Sequence, residues 1–282
     1  MLTAFTSMLA LAAAVQADTT FAVSPDDRLS INHHAGSIEV RMWNRNEVRI
    51  SSDDDDDSVI KVDRRGSEIR VTRHGRHATH SSDYTIMVPA WLPLAIGGIN
   101  TDVTVTGTQA SVRGGVVNGD FWVRGGQGLV SISSTNGDVT VEGSSGRVHI
   151  VSVDGDVSVT DVTGSVKAVT VDGDVTLERV DSRSVDASTV DGDVYHSGPV
   201  YDDGRYRLTT HDGDVTFFVP DNVNATVSVS TFSGEFESDF PFTISRLGGT
   251  SKRFSFTLGS GSAEVILEAF DGSIELRRSG GN

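Results

Sequence analysis

The sequence predicts an all-β protein, a parallel β-solenoid of the single-stranded, β-helix-like kind, with about seven eighteen-residue coils between β-rich N- and C-terminal caps. Three observations predict it: a turn motif at a fixed spacing, apolar residues that alternate within each copy, and no long helical periodicity after residue 17. The motif is Asn or Asp, usually Gly, then Asp and an apolar residue, and its first five copies are eighteen residues apart. The copies begin at Asn100, Asn118, Asn136, Asp154, Asp172, Asp191 and Asp212.

Each copy contains two short strands. After the turn, apolar and polar residues alternate, as at Val139 and Val141 or Val157 and Val159, which is the pattern of a strand with one buried face. Corners near glycine separate this strand from the second one. The second strand has apolar residues at Val112, Val130, Val148, Val166 and Val185, and it ends at Val117, Thr135, Val153, Val171 and Val190.

An antiparallel meander is the alternative, because Asx-Gly between alternating strands is also a strong hairpin signal. A meander would leave a single layer without a closed core. A coil that closes on itself turns every valine inward and stacks equivalent residues about 4.8 Å apart. The copies preserve residue type column by column, and this favours the solenoid.

The first seventeen residues, 1–17, predict a secretory signal peptide. They have an apolar centre and end on Val15-Gln16-Ala17, which resembles a cleavage site. The segment is too short to span a membrane, since a transmembrane helix needs about twenty apolar residues. We therefore expect an exported protein, located in the periplasm, on the outer cell surface or secreted, with no transmembrane segment after signal removal. The chain has no cysteine, which excludes disulfides, thiolate metal sites and a lipid-modified cysteine.

The remaining chain divides into three segments. Residues 18–98 contain strand-like runs separated by polar turns and are expected to form an N-terminal β cap, 99–218 the solenoid repeats, and 219–282 a C-terminal β cap. Phenylalanines concentrate in and just before the last segment, and two explanations stay open. The rings either close the open end of the solenoid or form an aromatic binding platform.

The charge distribution limits the range of partners. The formal net charge is −16, and residues 99–218 carry 18 acidic against 8 basic side chains. Unaided binding to nucleic acid or to anionic lipid surfaces is therefore disfavoured.

Stacked coils would place carboxylates above one another on the turns. Like charges about 4.8 Å apart repel by roughly 0.9 kcal/mol in water, and calcium, which prefers oxygen ligands, would offset this. Calcium-binding repeats of secreted proteins have a nine-residue period, however, and this chain has eighteen. The alternative is turn chemistry, in which Asp and Asn accept hydrogen bonds from their own turn amides. The candidate metal ligands are Asp138, Asp154, Asp156, Asp172, Asp174, Asp191, Asp193, Asp212 and Asp214.

Three smaller features complete the candidate sites. Asn100, Asn118 and Asn136 precede the aspartates of the later copies and suggest side-chain amide stacking in the first coils. The acidic run 53–57 could ligate a cation but is typical of a solvated loop. His74, His77 and His80 would line up for zinc only on a tight helical turn, and beside Gly75 they are expected on a loop.

The sequence predicts that the protein is not an enzyme. It lacks a G-x-S-x-G elbow, an H-E-x-x-H pair, a P-loop and a cysteine nucleophile. A carbohydrate-active β-helix enzyme would use a single carboxylate pair, whereas the carboxylates of this chain recur in every coil.

The repeats resemble a known family. Val153-Asp154-Gly155-Asp156-Val157-Ser158-Val159 and the equivalent run 171–177 resemble the bacterial putative adhesin domains of unknown function. The tripeptide Gly98-Ile99-Asn100 is similar to the related head GIN domain of putative autotransporter adhesins. The resemblance covers roughly residues 35–276. It implies an exported β-solenoid with a proposed adhesive activity and no catalytic residues, and some members are associated with cell-envelope stress loci.

We therefore predict an exported, non-catalytic cell-envelope or surface module that binds an envelope glycan or a surface protein and needs no cofactor. The first alternative is a calcium-binding repeat solenoid, and the second is a carbohydrate-active β-helix enzyme. The expected outward surface consists of Thr140, Ser158 and Thr176, together with His149, Lys167 and Asp186.

Overall fold

The structure is a computed structural model that describes residues 18–52, 59–74, 81–243, 246–248 and 252–280. The predicted signal peptide 1–17, the acidic run 53–57, and His77 and His80 lie outside the described residues. Over those ranges the secondary structure consists of strands, with no helix long and apolar enough to cross a membrane.

The described strands form one sheet that winds into a coil. The N-terminal strands are β1 (Asp18–Ala22), β2 (Arg28–Trp43), β3 (Glu47–Ser52), β4 (Val59–Arg65), β5 (Glu68–His74), β6 (Ser82–Pro89) and β7 (Leu94–Thr108). The repeats form β8 (Val112–Asn118), β9 (Phe121–Gly125), β10 (Gln127–Asn136), β11 (Val139–Glu142), β12 (Ser145–Val151), β13 (Val157–Thr160), β14 (Thr163–Val169), β15 (Val175–Glu178), β16 (Ser184–Ser188), β17 (Val194–Ser197), β18 (Arg205–Asp212) and β19 (Val215–Val219). The C-terminal strands are β20 (Ala225–Thr231), β21 (Phe236–Ser238), β22 (Arg246–Gly248), β23 (Lys252–Leu258), β24 (Ala263–Asp271) and β25 (Ile274–Arg278).

Parallel pairing between equivalent residues confirms the solenoid. Val130 pairs with Val148 and Val148 with Val166, while Val139 pairs with Val157 and Val157 with Val175. Each eighteen-residue copy is therefore one level of a stack. The antiparallel meander is excluded for the repeats, because successive copies lie in parallel register.

The core consists of vertical columns of apolar side chains. Alternate residues of each strand point inward, as the period of two requires. Burying one such side chain contributes about 1.5–3 kcal/mol. One fully buried column contains Val139, Val157, Val175, Val194 and Val215.

At both ends of the stack, the order of the levels differs from the order of the chain. β2 lies between β7 on one side and β5 and β6 on the other. At the C-terminal end, β24 and β25 lie between the level of β18 and β19 and the level of β20 and β21. Antiparallel strands then flank the stack, with β3 against β6 and β23 against β20. The boundaries at residues 98 and 218 stay predictions, because strands from both flanking segments continue the stack.

The expectation that every valine turns inward is wrong for one column. Val117, Val153, Val171 and Val190 are 44–48% exposed. The cause is the period of two along the second strand. Ile150 and Ser152 point inward, so Val153 points outward at the next position.

Candidate functional site

An exposed apolar column runs along the edge where each level makes its Asx-Gly turn. It is formed by the residue just before each turn motif, and we call it the edge column. The pairing of the motif residues on neighbouring levels places these side chains above one another. From the N-terminal side, the edge column is Ile99, Val117, Thr135, Val153, Val171, Val190, His211, Phe270 and Phe232.

On several levels a buried threonine precedes the edge residue and fixes the geometry of this edge; these are Thr170, Thr189, Thr210 and Thr231. The Oγ1 of Thr170 donates to the carbonyl of Gly155 at 3.1 Å, and that of Thr189 donates to Gly173 at 2.9 Å. Because this side chain is held inside the corner, the next residue along the strand must point outward.

The turn glycines allow neighbouring levels to approach closely. Gly173 has a φ of +130°, and a Cβ placed on it would lie 2.5 Å from the carbonyl oxygen of Gly155. Only glycine combines this backbone conformation with such a close approach.

The aspartate after each turn glycine accepts a hydrogen bond from the next level. The amide of Asp156 donates to Oδ1 of Asp138 at 2.9 Å, and the amide of Asp174 donates to Oδ1 of Asp156 at 2.8 Å. The amide of Asp193 likewise donates to Oδ1 of Asp174 at 2.8 Å. The expectation that these carboxylates bond their own turn amides is therefore wrong, because the donor belongs to the following level. Each bond to a charged acceptor offsets part of the repulsion along the column.

The first residue of the motif forms a second polar column beside the edge column. In the first levels it confirms the predicted amide stacking, since Nδ2 of Asn118 donates to Asn100 at 2.7 Å and Nδ2 of Asn136 donates to Asn118 at 2.6 Å. In later levels the column changes to exposed carboxylates. These are Asp154, Asp172, Asp191, Asp212 and Asp271, and we call them the acidic rail.

The C-terminal end of the edge column is aromatic. The rings of His211 and Phe270 stack with centroids 4.6 Å apart, and those of Phe270 and Phe232 stack at 5.0 Å. Phe270 is 49% exposed and Phe232 60%. Phe217 and Phe256, in contrast, are fully buried, as end closure predicts. The buried rings fit end closure, whereas the aromatic binding platform stays a prediction for the exposed rings.

The family follows from a match over most of the chain. The family model described as Toastrack DUF4097 matches residues 26–277. The chain belongs to the Toastrack DUF4097 family. Its function is not assigned by that membership, since the family is one of unknown function.

Solved structures similar to this Toastrack chain share little sequence with it. A putative cell adhesion protein from Clostridium sporogenes is 11% identical, with 93% of this chain and 99% of that chain covered at a TM-score of 0.24. A putative adhesin from Bacteroides fragilis is also 11% identical, with 92% and 95% covered at a TM-score of 0.40. A putative lipid binding protein from Parabacteroides distasonis is 11% identical, with 94% and 98% covered at a TM-score of 0.31. No curated protein sequence matches the chain.

The outward strand faces of the Toastrack solenoid form a second surface. Thr140, Ser158 and Thr176 align on β11, β13 and β15, and all three are half-buried. On the other strands, Lys167 lies between His149 and Asp186 and pairs with Asp186 at 2.9 Å. This surface is polar, and its charges are partly paired within the protein.

An inward column of the same Toastrack solenoid contains a histidine. His196 follows Val159 and Leu177 in register and precedes Phe217, whose ring lies 4.9 Å away. His196 is fully buried, and neither ring nitrogen has a hydrogen-bond partner among the described residues. Burial lowers its pKa to about 3, although its own backbone offsets a small part of this effect. Sequence reasoning missed this residue, whose signal is a histidine in a column of Val and Leu.

The predicted metal ligands divide between two columns. Asp138, Asp156, Asp174, Asp193 and Asp214 follow the turn glycine, whereas Asp154, Asp172, Asp191 and Asp212 belong to the acidic rail. Within the described ranges, no group of three or more His, Cys, Asp or Glu side chains is close enough to hold a metal ion. The metal ladder stays a prediction, and a melting experiment tests it.

Because Oδ1 of the first set already accepts an amide, we expect the melting temperature of this Toastrack chain to be the same in calcium and in chelator. If only the folded state bound calcium, a calcium concentration one hundred times the Kd would raise the free energy of unfolding by about 2.7 kcal/mol. The melting temperature would then rise by roughly 5–10 °C. Magnesium at the same ionic strength is the control. A rise of that size in calcium alone would establish the metal ladder.

Proposed function

We propose that the protein is an exported, non-catalytic binding module of the cell envelope, and that the edge column with its acidic rail is the binding surface. The observation that carries this proposal is the unbroken vertical alignment of exposed apolar side chains from Val153 to Val190, continued by the exposed rings of Phe270 and Phe232. An aligned apolar strip on a protein surface is typical of a contact site.

The fold itself does not require apolar residues in this column. Thr135 and His211 occupy it on levels with the same pairing and the same turn. Single exposed valines would need no explanation. Because Thr135 and His211 show that the fold accepts polar side chains in this column, the run of valines supports a role in binding.

The turn columns support a non-catalytic role. Catalysis by two carboxylates needs a pair whose environments differ from each other. Asp138, Asp156 and Asp174 instead repeat the same hydrogen bond on successive levels. Repetition without a distinct pair suits a scaffold that presents a surface.

The rigidity of the edge also favours binding. The levels that carry Val171 and Val190 are joined to their neighbours by backbone pairing, by the threonine bond to the turn glycine and by the aspartate bond to the next amide. A surface held in this way loses little conformational entropy when a partner binds.

Replacing Val153, Val171 and Val190 together by serine is expected to weaken binding to isolated cell envelopes by about a hundredfold, because each contact loses about 1 kcal/mol of apolar burial. The measurement is co-sedimentation of the purified chain with envelopes over a concentration series. We expect the melting temperature to stay within a few degrees, since the replaced side chains are half exposed.

The matched control replaces Thr140, Ser158 and Thr176 by alanine on the outward strand face, and it should bind envelopes as the unmodified chain does. Binding lost equally in both variants, or kept in the serine variant, would contradict the proposed surface.

Export is tested by fractionation of cells that produce the chain. A chain found only in the cytoplasm would contradict the proposed location.

A further inference from the structure

We infer that the partner of this edge is a cationic amphipathic helix lying lengthwise along the stack, with its apolar face on the edge column and its basic side chains on the acidic rail. This inference rests on the proposed binding role of the edge. It adds the chemical class of the partner and the direction in which it lies.

The charge of the edge selects a cation. The acidic rail runs directly beside the apolar column over the same levels, from Asp154 to Asp271. Its carboxylates form no ion pair with any basic side chain of the described residues. Stacked carboxylates about 4.8 Å apart repel one another. A row of Lys or Arg side chains from a partner would relieve this repulsion and satisfy the exposed charge.

The spacing of the levels selects a helix. Levels repeat about every 4.8 Å, and an α-helix repeats every 5.4 Å along its axis. Alternate residues of an extended peptide repeat at about 6.6–6.8 Å. A helix thus drifts by only about 0.6 Å per level, whereas an extended chain drifts by about 2 Å. Of these two peptide conformations, the helix keeps successive apolar residues closer to successive levels.

The length of the strip sets the length of the helix. At about 4.8 Å per level, the column from Val153 to Phe232 spans about 24 Å. A helix of about sixteen residues covers that distance. Such a helix has an apolar stripe from residues three and four apart, and the neighbouring positions can hold its basic side chains.

The edge fits two other classes of ligand less well. The rings of His211, Phe270 and Phe232 stack on one another, so their faces are partly covered and less open to a sugar ring. The valines offer no hydrogen-bond donor or acceptor to sugar hydroxyls. An anionic membrane would be repelled by the acidic rail and by the formal net charge of −16.

The test titrates the purified chain with a fluorescent helix-forming peptide of about sixteen residues, built from leucine and lysine so that leucine covers one face. Two further peptides serve as comparisons: one of the same composition in scrambled order without an apolar face, and one with glutamate in place of lysine. We expect the first peptide to bind at least tenfold more tightly than either comparison peptide. Raising the salt from about 50 to about 300 mM should weaken its binding.

Two matched variants locate the site, because any basic peptide is attracted to an acidic protein. Asp172→Asn with Asp191→Asn removes two charges from the acidic rail, and asparagine is compatible there because Asn118 and Asn136 occupy the same column. Asp202→Asn with Asp203→Asn removes two charges from the turn between β17 and β18. We expect the rail variant to weaken peptide binding about tenfold and the turn variant less than twofold.

Equal weakening in the two variants, or equal binding of the scrambled peptide, would overturn the inference. If the peptides do not bind but envelope binding still depends on Val153, Val171 and Val190, the helix is the wrong partner and the proposed function stands. Soluble cell-wall glycan fragments and vesicles of phosphatidylglycerol, tested on the same serine variant, then show which other class the edge takes, and binding of either would contradict the helix. If the chain binds neither peptide nor envelopes, the inference and the proposed function both fail.

Discussion

Gly173→Ala should destabilise the protein by about 3–5 kcal/mol, because the added Cβ has no space between two levels. It would lie 2.5 Å from the carbonyl oxygen of Gly155 and 3.0 Å from Oδ1 of Asp156. The first of these atoms is backbone and is held by the stacking of the levels, so relief would require the levels to separate. The φ of +130° adds further strain for an L-residue. Urea denaturation followed by circular dichroism measures the loss.

Gly143→Ala is the matched control for this substitution. Gly143 has a φ of +61°, and a Cβ placed on it meets nothing within 4 Å. The residues one and two copies later, Asp161 and Arg179, adopt φ values of 55° and 50° in the same corner. We therefore expect a loss of only about 1 kcal/mol from the left-handed conformation. Equal losses for the two variants would mean that Gly155 and Gly173 do not lie on adjacent levels.

His196→Leu is expected to stabilise the protein by about 1–3 kcal/mol at pH 7, because it removes two buried nitrogens that have no hydrogen-bond partner in the described part of the chain. Leucine has a volume similar to that of the imidazole and already occupies the same column as Leu177. The measurement is again urea denaturation. A loss of more than 1 kcal/mol would mean that the ring has a polar function in the core, and His196→Phe, which matches Phe217 on the next level, tests whether shape alone causes such a loss.

The same histidine makes stability depend on pH in a defined window. Its folded pKa is about 3, below the unfolded value of 6.5. Below pH 6.5 the unfolded chain therefore binds a proton that the folded chain does not. The free energy of unfolding decreases as the pH is lowered, until the folded group titrates near pH 3. From pH 6.5 to 5 this group alone removes about 2 kcal/mol, at about 1.4 kcal/mol per pH unit. The difference in stability between His196→Leu and the unmodified chain should grow by that amount, and a constant difference would contradict the buried, neutral state of His196.

The repeats were predictable because the sequence of each copy contains both the alternation of a strand and the residues of a turn. The inward alternation of Val157 and Val159, the turn glycines and the amide stacking of Asn100, Asn118 and Asn136 all depend on local pattern and fixed spacing. Local periodicity determines which face of a strand is buried. The structure agrees with the sequence where each level repeats the one before it.

The ends of the stack were not predictable from spacing. Leu29 of β2 pairs with Leu94 of β7, although other strands intervene in the chain. Asp271 pairs with Asp212 in the same manner, across β20 and β23. These pairings depend on which strand best covers an open edge in three dimensions, and no local motif encodes that choice.

The edge column could have been predicted but was not. Counting in steps of two from buried Val148 through Ile150 to Ser152 places Val153 outside. The apolar character of valine predicts burial, whereas the two-residue period of the strand predicts exposure, and the strand period determines the outcome. The binding surface proposed for this Toastrack protein consists of those exposed residues, so its position depends directly on the register of the levels.

Pulsed electron paramagnetic resonance between pairs of spin labels tests that register most directly, and the chain has no cysteine to interfere with labelling. One label is placed at Thr104 and the second in turn at Thr176, Tyr195 or Thr216, which follow one another in parallel register on β7, β15, β17 and β19. The stacked solenoid predicts that the mean distance grows by about 4.8 Å with each further copy. Antiparallel ribbons with two strands per copy would give an increase of about 9.6 Å per copy, and that result, or distances without a constant increment, would contradict the stacking on which the binding edge depends.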